Sequence, residues 1–265
     1  MTVCVLLERT ERLLEKLYQL LPAPKHNVLF DRTELAPCRD KSPLWLTIDD
    51  NSALLDAIHA NPEIWPGLIM QSSWSADCVF DHLRHILIII FDARRRGVLR
   101  YWDPITASYF FTSSGIDESP LWLGPIANLS WYGGTWADHA HGTLRWFQIA
   151  NPHACNRARP AHAFTPILNV AHEDALRLQE RERFVYGWWK KHTDTPFPHA
   201  LAYLDEGMAH GFETDPALMN RYLSIRARHP DHQSPPRQHG DTGEERLNAL
   251  QHVLQQPRHS TEFTR

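Results

Sequence analysis

The longest unbroken apolar run in the chain is Ile86–Phe91, ILIIIF, six residues. A membrane-crossing helix needs about 20 apolar residues, so the run predicts no span. Its length and β-branched content suit a central strand covered on both faces. The flanking residues carry helix signals. Ser75 stands as an N-cap for a helix through about His85, with Asp77 in the first turn, where the helix dipole favours negative charge. After the run, Asp92–Gly97 is a basic turn and Val98–Trp102 reads as a return strand. So short a loop implies an antiparallel pair. Asp103-Pro104 is the next helix start, with Asp at the N-cap and Pro at the first helical position.

Residues 3–21 read as one amphipathic helix. Leu6, Leu13, Leu17 and Leu20 fall at helical spacing, charged residues from Glu8 to Lys16 fill the other face, and Pro22 and Pro24 stop it. Short strands are expected at Val28–Phe30, Leu44–Ile48, Leu68–Gln71 and Thr143–Ile149, and Asp50 or Asn51 can cap a helix through Ile58. The character changes after Asn151-Pro152. From Val170 onward the pattern is helical, with one helix over about His172–Lys191 and others starting near Pro198 and at Asp215-Pro216. The expected fold is an α/β (α+β) lobe over residues 1–152, with a mixed or antiparallel central sheet. A smaller all-helical lobe follows over 153–230, then a linker and weakly tethered C-terminal helix over 231–265.

A net charge of −4 gives no global field for nucleic acid or an anionic membrane. The N-terminal stretch puts charges where a signal peptide needs an apolar region. Cys4, Cys38, Cys78 and Cys155 form no CxxC pair, which excludes a zinc ribbon and a disulfide framework and fits a reducing compartment. A soluble cytoplasmic protein is expected. Nucleotide-binding glycine loops, a GxSxG elbow and HExxH are all absent; His172-Glu173 continues as Asp174-Ala175-Leu176.

Three residue sets carry possible chemistry. Asp138, His139 and His141, with His153 and Cys155, have the side chains of a zinc site, and H-x-H on a strand would put both rings on one face. The segment reads as a Gly- and Ala-rich loop in a chain of 17 histidines, so no metal and no cofactor is expected there. His82, Arg84, Arg100 and Asp103 form an ionic set at the ends of adjacent elements. Their expected role is scaffold, with Arg84 or Arg100 pairing with Asp103 or a nearby carbonyl. Trp188 and Trp189 lie about 100° apart on one helix; they are either core or an exposed anchor for a protein partner.

The run HLRHILIIIFDARRRGVLRYWDPITASYFF and the later LWLGPIANLSW resemble a domain of unknown function encoded beside spike genes in type VI secretion clusters, whose members are called adaptors or effector chaperones. The family pattern has a helix ending in HLR, an apolar strand, RFYDPR, and later GPI. It falls here on His82, Leu83 and Arg84; on Arg100, Tyr101, Trp102, Asp103 and Pro104; and on Gly124, Pro125 and Ile126. Residues 35–48 and the entry to HLR are also similar. Trp102 replaces a commoner Tyr, Ile105 replaces a commoner basic residue, and the lead-in before residue 22 is longer than usual. The resemblance implies a non-enzymatic cytoplasmic adaptor that binds a secreted effector and delivers it to a VgrG-type spike protein, without nucleic acid or membrane. Two other readings stand beside it: a metal-dependent hydrolase using Asp138, His139 and His141, and an immunity-type protein that binds a toxin.

Overall fold

The computed structural model describes residues 1–48, 53–92, 94–115, 118–154, 165–233, 236 and 239–255. The Asp50 or Asn51 cap lies outside the described residues. The chain forms two compact units, Met1–Gln179 and Glu180–Arg265. They divide within the long helix Val170–Trp189 rather than at the composition change near Pro152.

The first unit opens with β1 (Thr2–Leu7), α1 (Leu13–Leu20), β2 (Asn27–Val28) and a 3-10 turn at Ala36–Lys41. Then come β3 (Leu44–Ile48), α2 (Ala53–Ala60), β4 (Gly67–Ser72), α3 (Ala76–His85), β5 (Ile88–Phe91) and β6 (Arg95–Val98). It continues through α4 (Pro104–Ser113), α5 (Ser119–Leu123), β7 (Asn128–Gly133), α6 (Trp136–His141), β8 (Arg145–Ala150) and the first half of α7 (Val170–Trp189). Six strands form one sheet in the order β2-β3-β1-β4-β7-β8, each pair antiparallel. The fold is therefore mixed α/β with an antiparallel central sheet.

Residues 3–21 are not one helix. Their first part is β1, paired with β3 on one side and β4 on the other, so that Leu6 lies opposite both Trp45 and Leu68. Cys4 and Leu6 enter one core with α3, α4 and α5; Val5 and Leu7 enter a second core with α1 and α2. Helices cover both faces of this strand, so it carries no polar alternation. Its leucines run on into those of α1 at a spacing that mimics one long helix.

The ILIIIF run is not a central strand of the sheet. Only Ile88–Phe91 is extended, and it pairs with β6 in a separate two-stranded hairpin. The return strand is Arg95–Val98, earlier than Val98–Trp102; Leu99, Tyr101 and Trp102 are buried in the turn that follows it. The outer edge of β5 is occupied, since Ile90 N–H donates to the Pro166 carbonyl at 2.8 Å and Leu168 N–H donates to that of Ile90 at 2.9 Å. The run's apolarity serves packing: Ile86, Leu87 and Ile89 are buried among α3 and α4 residues. Both helix starts form as their signals require. Ser75 Oγ accepts from Cys78 N–H, and Asp103 accepts from Ile105 N–H.

The second unit holds the rest of α7, then α8 (Phe197–Ala209), α9 (Pro216–Ala227) and α10 (Gly243–Gln255). Phe197, Tyr203, Leu204, Met219, Tyr222 and Leu223 fill its interior. Gly207 on α8 gives room for Met219 and Tyr222; a β-carbon there would lie 3.0 Å from the tyrosine ring. The C-terminal helix is firmly held, because Leu247, Leu250 and Leu254 of α10 are all buried. Arg226 is only 2% exposed, and its Nε donates to Glu206 at 2.6 Å while its terminal nitrogens donate to the His229 and His232 carbonyls. No helix among the described residues is long and apolar enough to cross a membrane.

Candidate functional site

The polar groups of the HLR, RYWDP and GPI residues are taken up inside the first unit. His82 Nε2 lies 2.9 Å from the Trp122 carbonyl, so Nε2 carries the proton it donates. Its ring packs on Gly124, which has φ +54°, a value L side chains rarely adopt. Asn151 Nδ2 donates to the Gly124 carbonyl at 2.9 Å, and Ser72 Oγ donates to that of Pro125 at 2.6 Å. The Tyr101 hydroxyl donates to the Leu83 carbonyl at 2.7 Å, and burial pushes its phenol well above the usual range. Asp103 caps α4 at 2.9 Å, and the Pro104 carbonyl accepts from Ser108 Oγ. Leu83 is core.

The arginines of this set do not reach Asp103. Arg84 Nε donates to the Leu29 carbonyl at 3.3 Å, and its guanidinium lies 4.0 Å from the centre of the Phe80 ring. Arg100 instead bonds Glu8 at 2.8 Å, a partner 92 residues away that no local motif signals.

This pair stands in a cleft of about 600 Å³. Phe30 and Trp102 form its apolar floor, edge to face with centroids 5.6 Å apart, and Leu35 and Val98 extend it. Arg9, Asp40 and Lys41 add charges of both signs at its border. Burial holds the Glu8 carboxyl above the usual range and the nearby Asp103 charge adds to this, while Arg100 opposes both. Thr10 Oγ1 is buried without a hydrogen-bond partner among the described residues.

A second cleft, about 620 Å³, takes part of its lining from the same segment, residues 30–41, as the first. Arg32, Arg84, His85 and Arg96 line it together with Glu34, Asp81, Ile88 and Ile90. The shared segment is anchored where Phe30 N–H donates to Ser42 Oγ at 3.0 Å and Thr33 Oγ1 donates to the Phe30 carbonyl at 2.7 Å. Arg32 adopts φ 63°. Burial lowers the proton affinity of Arg84, Arg32 lowers it further by like-charge repulsion, and Asp81 opposes them.

The other residue sets lie elsewhere. The segment of Asp138, His139 and His141 is a capped helix and not a loop or strand. Thr135 Oγ1 accepts from Asp138 N–H, and the Asp138 carboxylate accepts from Thr135 N–H at 2.8 Å. Burial opposes the Asp138 charge, but these bonds and one from Thr143 outweigh it and hold the carboxyl below its usual range. Two residues apart on a helix, His139 and His141 point about 200° apart. Among the described residues no group of three or more His, Cys, Asp or Glu converges for a metal ion; Cys155 lies outside them.

Trp188 is not a surface anchor. It is 6% exposed, stacked on His192 at 4.1 Å, with Nε1 donating to Ser224 Oγ. Trp189 is half-buried beside Tyr186 and Phe197 and donates to the Thr195 carbonyl. Ser114 Oγ and His172 Nε2 meet at 2.8 Å, a pair the sequence did not flag. That imidazole is 1% exposed and stacked on Phe110, and Nδ1 has no hydrogen-bond partner among the described residues. A serine nucleophile needs a base that is oriented by a third group and open to substrate, so this contact is core packing.

Residues 6–118 match the model of a family described as a domain of unknown function, DUF4123. No curated protein and no solved structure matches the chain. The DUF4123 match supplies every residue lining the first cleft, and all of the second except Thr165 and Pro166.

Proposed function

We propose that the chain is a non-enzymatic adaptor, working in the cytoplasm, that binds a secreted effector of a type VI secretion system and helps load it onto a VgrG-type spike protein. One observation carries this reading: the span similar to DUF4123 builds the first cleft and all of the second but Thr165 and Pro166. Within it several motif side chains are used to hold the walls. His82, Tyr101 and Asp103 each bond to backbone. What they support is a surface with an aromatic floor and charges of both signs at its border. That is the anatomy of a protein-binding patch, where a buried aromatic centre supplies affinity and a polar rim supplies selectivity.

The test is co-purification of the tagged full chain with a VgrG-type spike protein and with the products of its neighbouring genes. Val98 is 42% exposed, so Val98→Glu alters the first cleft with little effect on packing. Loss of effector or spike at an unchanged melting temperature supports the adaptor reading. Failure of the unaltered chain to retain either protein overturns it. If the chain instead blocks the activity of a purified toxin, it is an immunity protein.

A further inference from the structure

The second cleft has a feature that holding the fold does not require. Two arginines, Arg32 and Arg84, line the same opening, and the charge of Arg32 opposes that of Arg84. Arg84 is held from three sides, by Phe80 beneath, by the Leu29 carbonyl and by α3 itself, and its side chain is 17% exposed. Its nearest carboxylate, Asp81, is 3.7 Å away and largely in solvent. Arg32 forms no ion pair among the described residues, and its left-handed backbone is one that an arginine adopts at a cost. The cleft's other arginine, Arg96, already has Glu34 as its partner. Two like charges thus converge on one opening with incomplete neutralisation, and Ile88 and Ile90 stand beside them.

We propose that this cleft binds an acidic segment of a protein partner, with the Arg32 and Arg84 guanidiniums gripping one carboxylate and the Ile88–Ile90 wall taking an adjoining apolar side chain. A planar guanidinium matches a carboxylate with two parallel hydrogen bonds. The apolar wall and the volume of about 620 Å³ exceed the needs of a lone phosphate.

The inference rests on the adaptor reading and names the chemistry one partner presents. Its probe is a fluorescent peptide of alternating Glu and Leu, titrated into the full chain by anisotropy. Its Gln-for-Glu counterpart and inorganic phosphate serve as controls. The Glu peptide is expected to bind saturably and to weaken as salt is raised. The Gln peptide is expected to bind at least about tenfold more weakly, the loss of one charge-assisted contact. Arg32→Gly removes a guanidinium and suits the left-handed backbone, so it is expected to weaken peptide binding about tenfold with the melting temperature unchanged or raised. Arg84→Gln is expected to do the same where it folds. The proposal is overturned if Arg32→Gly binds the Glu peptide as the unaltered chain does, if the Gln peptide binds equally well, or if phosphate displaces the peptide at equal concentration. Peptide binding without retention of any effector or spike would sink the adaptor reading and leave the cleft assignment standing. Retention of those proteins without peptide binding would do the reverse.

Discussion

The imidazole of His82 lies against the bare α-carbon of Gly124: a β-carbon at position 124 would sit 2.6 Å from both ring nitrogens. The HLR and GPI segments are thus two halves of one contact, closed by the bond from His82 Nε2 to the Trp122 carbonyl. Gly124→Ala meets two obstacles at once, a left-handed φ of 54° and a collision with a ring that is 2% exposed. A loss of about 2 kcal/mol or more is expected, read from the shift of the urea midpoint. The double variant with His82→Ala is expected to recover only the steric part, so a purely additive result would show that ring and glycine do not interact.

Asp103→Ala removes the cap of α4, which receives Ile105 N–H at 2.9 Å. The expected loss is about 1 kcal/mol, with circular dichroism otherwise unchanged. Asp103→Asn keeps an accepting oxygen and is expected to retain most of that stability. Should both variants melt as the unaltered chain does while partner binding disappears, Asp103 acts on the partner and not on the helix.

Glu8 makes stability depend on pH in the direction opposite to an ordinary paired carboxylate. Burial, with Asp103 nearby, raises its folded pKa above the value near 4.5 that it has when unfolded. Between those two values the folded chain keeps a proton that the unfolded chain has released. The stabilisation is full below the unfolded value and is lost as pH rises through the folded one. Glu8→Gln is expected to match the unaltered chain in acid and to gain on it as the pH approaches neutrality. A stability difference that does not change with pH across this range would show that Arg100 fully compensates the buried charge.

In the second unit Trp188→Ala leaves a hole beside His192 and removes the bond that Ser224 Oγ accepts, while that hydroxyl keeps its own bond to the Asn220 carbonyl. The cost expected is about 3–5 kcal/mol, seen as loss of near-ultraviolet dichroism and a lowered melting temperature. Trp189→Ala, at a half-buried ring, is expected to cost clearly less. Equal and small effects at the two positions would return Trp188 to the surface.

What the sequence revealed follows from where each signal originates. Ser75, Asp103-Pro104 and Asp215-Pro216 mark helix starts because a cap acts within its own turn. Strand β1 escaped notice because both its faces are covered, and Glu8 to Arg12 break the leucine pattern without a glycine or proline. The ILIIIF run misled for a related reason, since burial against helices calls for the same residues as burial within a sheet. The clefts are assembled from residues far apart in the chain. Arg100 and Trp102 could be singled out from a motif, whereas Glu8 joins them only through the placement of β1. The backbone of Arg32 likewise has no precursor in composition.

Strand β1 is made before every other described element, yet it occupies the middle of the sheet. Its neighbours are β3 and β4, and the pairing of Thr2 with Ser72 closes only after residue 72 has left the ribosome. Until then TVCVLL has at least one unsatisfied edge, the one that β4 later covers, beside apolar side chains on both faces, the description of a segment prone to wrong pairing. The later strands β7 and β8 extend the sheet beyond β4, on the side of β1 that β4 covers. A nascent chain stalled short of Ser72 leaves the β4-facing edge of that strand open, a ready grip for a holding chaperone at the tunnel exit.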